Sequence, residues 1–167
     1  IGHVVAVEPV EDGIQRGDFA ATFVDPYVVV GEFAPGAVGL AIAALDDYDL
    51  VCVHVEAPDE ASHEGRADAK VEAIERMDAA IVGPIREALG TGKYGDWRIL
   101  ITPDHSTLLR TRAHDRAPVA WAISGAGIKP SGLTYDEVAA LNGGGPFFEQ
   151  GYKLMERFLD LGWDGSS

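Results

Sequence analysis

"DLVCVHVEAPDEASHEG", residues 49–65, decides the fold. Its first nine residues are a β-branched apolar run, as expected of a strand buried on both faces. The run breaks at Pro58 into a polar stretch read as a loop. Beyond it Val71, Ile74, Met77, Ile81, Ile85 and Leu89 recur at steps of three or four, the stripe of an amphipathic helix. Glu64, Glu72 and Glu75 suit the start of that helix, and Gly90 and Gly92 end it. "WRILITP" (97–103) and "APVAWAIS" (117–124) read as further strands. A short helix follows Thr134, with Glu137 placed for a capping box. A final helix carries Tyr152, Met155, Phe158, Leu159 and Leu161 on its apolar side. Strand, helix, strand, strand, helix predicts an α/β layered domain with a largely parallel sheet flanked by helices.

The front of the chain reads less clearly. "HVVAVEPV" and "YVVVGEF" resemble short strands, "EDGIQRGD" and "FAPG" turns, and residues 37–45 one short helix. There is no internal repeat.

Composition narrows the function. The chain has 167 residues, 47% of them hydrophobic, enough for one domain with an ordinary core. A formal net charge of −14 argues against nucleic acid and anionic membranes as partners. An anionic substrate would need local positive charge, for which metal ions are the natural source in so acidic a chain. A single cysteine, Cys52, leaves no disulfide framework. No apolar run approaches a membrane span and the start lacks signal-peptide character, so the expected location is the cytoplasm.

Two loops carry the chemistry. Asp59 and His63 follow the first clear strand, and Asp104 and His105 follow the second. If those strands are parallel, both loops leave the carboxyl edge of the sheet, where open α/β sheets bind ligands. His114 lies where a returning loop could join them. Carboxylate oxygen and imidazole nitrogen suit Zn²⁺ or Mn²⁺. Five such residues exceed the needs of one four-coordinate ion and suit two, an arrangement that clamps a phosphoryl group. Each piece has a plainer reading: Asp59 as a helix cap, Asp104 as a turn residue, His114 as a solvated loop residue. His54, inside the strand, reads as a hydrogen-bonded core histidine or as support for a ligand. His3 has no assigned role. Arg110, Arg112 and Arg116 read equally as an anion site or a solvated face. "GGGPFF" (143–148) lacks the lysine of a phosphate loop.

"VHVEAPDEASHEG", "AIERMDAAIVGPI" and "ILITPDHSTLLRTRAH" resemble the cofactor-independent (2,3-bisphosphoglycerate-independent) phosphoglycerate mutases of the archaeal type, in the alkaline phosphatase superfamily. "GGGPFFEQGYKLMERFL" is similar to that family's C-terminal end. The resemblance covers roughly residues 49–161. It implies an alkaline-phosphatase-like core and a two-metal isomerase that interconverts 3-phosphoglycerate and 2-phosphoglycerate through a phosphoserine. It implies that Asp59, His63 and His114 hold one ion and Asp104 and His105 the other. The ions would be manganese, with magnesium, cobalt or zinc as alternatives. The front departs from the family: its first-strand Asp and nucleophilic Ser have no convincing match. Residues 1–36 resemble a shortened edge of the family's inserted substrate domain, and 37–167 the C-terminal part of its metal-binding core. The expected partner is a small phosphorylated substrate, and the chain alone should have little mutase activity. Another phosphotransferase or phosphohydrolase of the superfamily, a non-catalytic metal-binding module and a purely structural domain are the alternative readings.

Overall fold

The apolar run of the opening stretch forms a strand over Val51–Val55 in which every odd residue is fully buried. The computed structural model describes residues 3–10, 27–30, 37–142, 145–160 and 162–166. In chain order the elements are β1 (His3–Val10), β2 (Tyr27–Val30), α1 (Ala37–Ala44), β3 (Val51–Val55), α2 (Ala57–Glu64), α3 (Ala67–Met77), α4 (Gly83–Leu89), β4 (Asp96–Pro103), β5 (Ser106–Leu108), β6 (Ala113–Asp115), β7 (Ala122–Gly125), α5 (Glu137–Leu141) and α6 (Tyr152–Phe158). The turns expected over residues 11–18 and 33–36 lie outside the described residues.

Five strands form one sheet in the order β2-β3-β1-β4-β7. The α/β class holds, but the pairing is mixed rather than largely parallel. Only β2 and β3 pair in parallel among the described strands. β1 lies between β3 and β4 and pairs antiparallel with each, and β7 pairs antiparallel with β4. β3 and β4 still run in the same direction, because β1 opposes both. His3 is opposite Val55 on one side and Pro103 on the other, so the carboxyl ends of β3 and β4 share one sheet edge. β1 and β2, which precede residue 36, belong to the same sheet as β3, β4 and β7.

Strand alternation splits the core between two faces. Val51, Val53, Val55 and Ile99 pack with Ala41, Met77, Ile81, Ile85 and Leu89 from the helices. Leu100 and Cys52 turn the other way, toward Leu154, Phe158 and Trp163. The helical stripe is therefore correct from Met77 onward. Its first two members are not in the core: Val71 and Ile74 are 56% and 42% exposed, and Ala73 is buried instead. α3 and α4 are joined by one π-helical turn, Asp78–Val82. Pro84 accounts for it, because it has no N–H to give the carbonyl one turn back. In α6 Leu154 and Phe158 are buried while Tyr152 is exposed. α5 is capped by Asp136, which accepts from the Ala139 N–H, and not by Thr134, whose hydroxyl donates to Asp136. The strand expected over residues 117–124 begins only at Ala122.

Arg98 is 1% exposed. Its guanidinium donates to the carbonyls of Ala126, Phe158, Asp160 and Trp163 at 2.8–3.0 Å. This buried charge ties β4 to the end of α6 through partners that a hydrophobic pattern does not reveal.

Candidate metal centre

"APDEASHE" is a helix, not a loop. Pro58 fits the first turn, Asp59 and Glu60 sit at its positive end, and Gly65 closes it in the left-handed conformation. Asp59 and His63 are thus four residues apart on one helical face. At the same sheet edge the chain leaves β4 after Pro103 and makes a small hairpin, β5–β6, that pairs Thr107 with His114. The hairpin brings His114 back over α2.

Three ligand-type atoms converge there. His63 Nε2 lies 3.1 Å from His114 Nε2 and 3.2 Å from Asp59 Oδ2, and His114 Nε2 lies 4.0 Å from the same oxygen. Atoms bound about 2.0–2.2 Å from one divalent ion lie roughly 3–3.5 Å apart, so small movements would close this triangle on a cation. Two imidazole nitrogens and a carboxylate oxygen are a fitting donor set. The imidazoles are exposed and Asp59 is half-buried, so the cluster opens to solvent. An open position of that kind is what a catalytic ion requires.

The surroundings orient these groups. His63 Nδ1 donates to the Arg112 carbonyl at 3.0 Å, which leaves Nε2 as the lone-pair atom of the neutral ring. Arg112 delivers that carbonyl from a left-handed backbone, φ 54°, unusual for a residue other than glycine. Its side chain lies over Gly65, where an added Cβ would sit 2.6 Å from Nε. Asp59 Oδ1 accepts from the buried Thr107 hydroxyl at 2.6 Å. Partial burial works against the charged carboxylate, but hydrogen bonding, including that from Thr107, together with nearby positive charge outweighs it and holds the carboxyl at about 2. Lys70 donates to Ser62 Oγ at 2.8 Å and to the Thr107 carbonyl at 3.3 Å.

Asp104 and His105 stand beside this cluster. His105 Nε2 is 3.3 Å from Asp104 Oδ2. The His105 ring lies against His114 with centroids 3.8 Å apart and the planes tilted by 32°. Among the described residues Asp59, His63 and His114 are the one group of three donors close enough to share an ion, so Asp104 and His105 form a separate pair. His54 is half-buried and faces Glu56 at 3.4 Å, away from the cluster's short contacts. Sequence reading missed Thr107, Lys70 and the Arg112 carbonyl. The signal for Thr107 was its place two residues after His105, close enough for its hydroxyl to reach that imidazole.

A family model described as "Metalloenzyme superfamily" matches residues 36–147. The chain belongs to the metalloenzyme superfamily. Its metal-type donors lie within the matched span, and membership supports divalent-metal binding at the cluster just described. A probable 2,3-bisphosphoglycerate-independent phosphoglycerate mutase of Geobacter sulfurreducens is 46% identical over 127 residues, 75% of this chain and 31% of that protein. A 2,3-bisphosphoglycerate-independent phosphoglycerate mutase of Methanothrix thermoacetophila is 42% identical over 111 residues, 65% of this chain and 28% of that protein. One of Methanosarcina acetivorans is 44% identical over 112 residues, 65% and 28% of the two chains. The chain therefore spans under a third of the length of these relatives. No solved structure matches it. Among the described residues no helix is long and apolar enough to cross a membrane.

Proposed function

We propose that this chain is the metal-holding C-terminal part of a cofactor-independent phosphoglycerate mutase core, acting in the glycolytic interconversion of 3-phosphoglycerate and 2-phosphoglycerate. The observation that carries the proposal is the convergence of Asp59, His63 and His114 from segments about fifty residues apart, inside the span matched by the metalloenzyme family model. Asp59, His63 and His114 hold one divalent ion. Asp104 and His105 contribute to a second, whose remaining donors come from outside the described residues. Manganese is the ion we assign, and the cytoplasm the location. Residues 1–36 derive from the edge of an inserted substrate domain, with β1 and β2 taken into the core sheet.

Bound metal supplies positive charge for a phosphoryl group and for the alkoxide that accepts it. The protein's own part here is positional. His63 presents Nε2 because its Nδ1 donates to the Arg112 carbonyl, His114 brings its own Nε2 to the same point, Asp59 turns Oδ2 toward them while Thr107 occupies Oδ1, and the solvent-facing side admits the substrate. The nucleophilic serine is not among these groups, so the chain alone is expected to lack turnover.

Two measurements test this. Mn²⁺ titration of the chain should show stoichiometric binding that weakens more than tenfold in Asp59→Asn, His63→Gln and His114→Gln. An enolase-coupled assay with 3-phosphoglycerate should show turnover only when a nucleophile-bearing segment is supplied. Hydrolysis of p-nitrophenyl phosphate without mutase activity in that reconstituted system would select a phosphohydrolase of the same superfamily. Absence of metal binding would overturn both.

A further inference from the structure

Thr107 is 2% exposed, yet its hydroxyl has partners in both groups of donors. It donates to Asp59 Oδ1 at 2.6 Å, and His105 Nδ1 lies 3.3 Å from the Thr107 Oγ1 itself. A hydroxyl has one hydrogen. The short bond to a carboxylate uses it, because charge-assisted bonds are the stronger ones. Toward His105 the oxygen can then only accept, so His105 Nδ1 must carry the proton. That leaves His105 Nε2, the atom facing Asp104, as the lone-pair nitrogen.

We propose that Thr107 is a positioning residue that joins the two donor groups through one hydroxyl, orienting the Asp59 carboxylate and fixing His105 as its Nδ1–H tautomer, with Lys70 seating the strand that carries it. The inference deepens the metal-holding function above and rests on it for its consequence, though not for its geometry. Lys70 bridges α2 and β5 directly: its ammonium holds the Thr107 carbonyl and the hydroxyl of Ser62, which in turn donates to the Pro58 carbonyl beside Asp59. Ser62 is fully buried, and burial pushes the Lys70 ammonium pKa down against the pull of Glu137 and Asp59. A cation kept in such a place binds the hairpin to the helix at the point where Asp59 and His105 must keep their spacing.

The test is a long-range ¹H–¹⁵N correlation spectrum of the ¹⁵N-labelled 167-residue chain without added metal, at about pH 8, where imidazole is largely neutral. The parent should show His105 with the Nδ1–H pattern. Thr107→Val, nearly isosteric but lacking the hydroxyl, should lose that pattern, and Thr107→Ser should restore it. Mn²⁺ affinity should fall about 10–100-fold in Thr107→Val, the usual cost of removing a group that orients a ligand, and recover in Thr107→Ser. Lys70→Met, which keeps the hydroxyl, should give a smaller loss, and an unchanged affinity would remove Lys70 from the proposal. An Nε2–H pattern for His105 in the parent would overturn the assignment without any variant. So would a Thr107→Val protein with the parent's tautomer and affinity. If the parent binds no Mn²⁺, the metal function fails, and the parent spectrum still decides the role of Thr107.

Discussion

Gly65→Ala probes the link between helix geometry and the donor cluster. Gly65 closes α2 at φ 74°, and a Cβ there would stand 2.6 Å from Arg112 Nε and 3.0 Å from Cζ. Two costs follow. The left-handed conformation costs an L-residue about 1–2 kcal/mol. At about 2–4 °C per kcal/mol for a chain of this size, Tm should fall by roughly 2–8 °C. The second cost is steric. The Arg112 side chain is exposed and can swing away, but its own backbone supplies the carbonyl that holds His63 Nδ1. Displacing it should loosen His63 and weaken Mn²⁺ binding by about tenfold. Arg112→Ala separates the two costs, because it clears the space above Gly65 and keeps the carbonyl. In that background Gly65→Ala should still lower Tm but no longer weaken metal binding. Thermal unfolding without metal and calorimetric Mn²⁺ titration of the four proteins form a double-mutant cycle. An affinity loss of the same size in both backgrounds would refute the steric route, and an unchanged Tm would refute the left-handed cap.

Other perturbations address the frame and the ion. Arg98→Met should destabilise the fold by at least about 4 kcal/mol, since four carbonyls lose a donor at about 1–3 kcal/mol each; a urea midpoint close to the parent's would contradict that ledger. Arg98→Lys should rescue little, because one ammonium cannot serve carbonyls spread from Ala126 to Trp163. Gly125→Ala should cost about 1–3 kcal/mol, because its Cβ would lie 2.1 Å from the Trp97 carbonyl oxygen and must part β7 from β4; faster hydrogen exchange in that strand pair alone is the expected signature. Mn²⁺ at a hundredfold excess over Kd should add about 2.7 kcal/mol, a Tm rise of roughly 5–10 °C that a chelator reverses; no rise would mean that the folded chain does not bind the ion preferentially.

The parts of the fold that the sequence shows plainly are those whose side chains have one physical reason to be where they are. The runs at 51–55 and 99–101 are mostly apolar because both faces of the sheet are covered, and they read as strands at once. The "APDEASHE" helix was hidden because its composition is polar, and only Pro58 and Gly65 marked its ends. The β5–β6 hairpin was hidden for the opposite reason: three-residue strands are too short for any period to register. Val71 and Ile74 show the limit of periodicity, since they continue the stripe in sequence while the core it serves begins a turn later, at Met77. Of the five candidate ligands, three converge with donor atoms 3.1–4.0 Å apart and two lie beside them, an arrangement that follows from strand direction.

Strand direction is also why the site survives a change in sheet pattern. Placing both loops on one edge needs only that β3 and β4 point the same way, and parallel pairing is one route to that. An antiparallel strand between them is another, because two reversals restore the direction. The three-helix connection from β3 to β4 is long enough to span the intervening strand, as crossover connections must. The sheet thereby sets the two loops about one strand further apart than direct neighbours would be, near 10 Å rather than near 5 Å. The β5–β6 hairpin offsets that separation. It carries His114 back over α2, so that Nε2 reaches His63 while the ring stays against His105. His114 and Thr107, paired across the hairpin, are thus the residues through which the two loops touch, and the hairpin is the element whose loss would divide them.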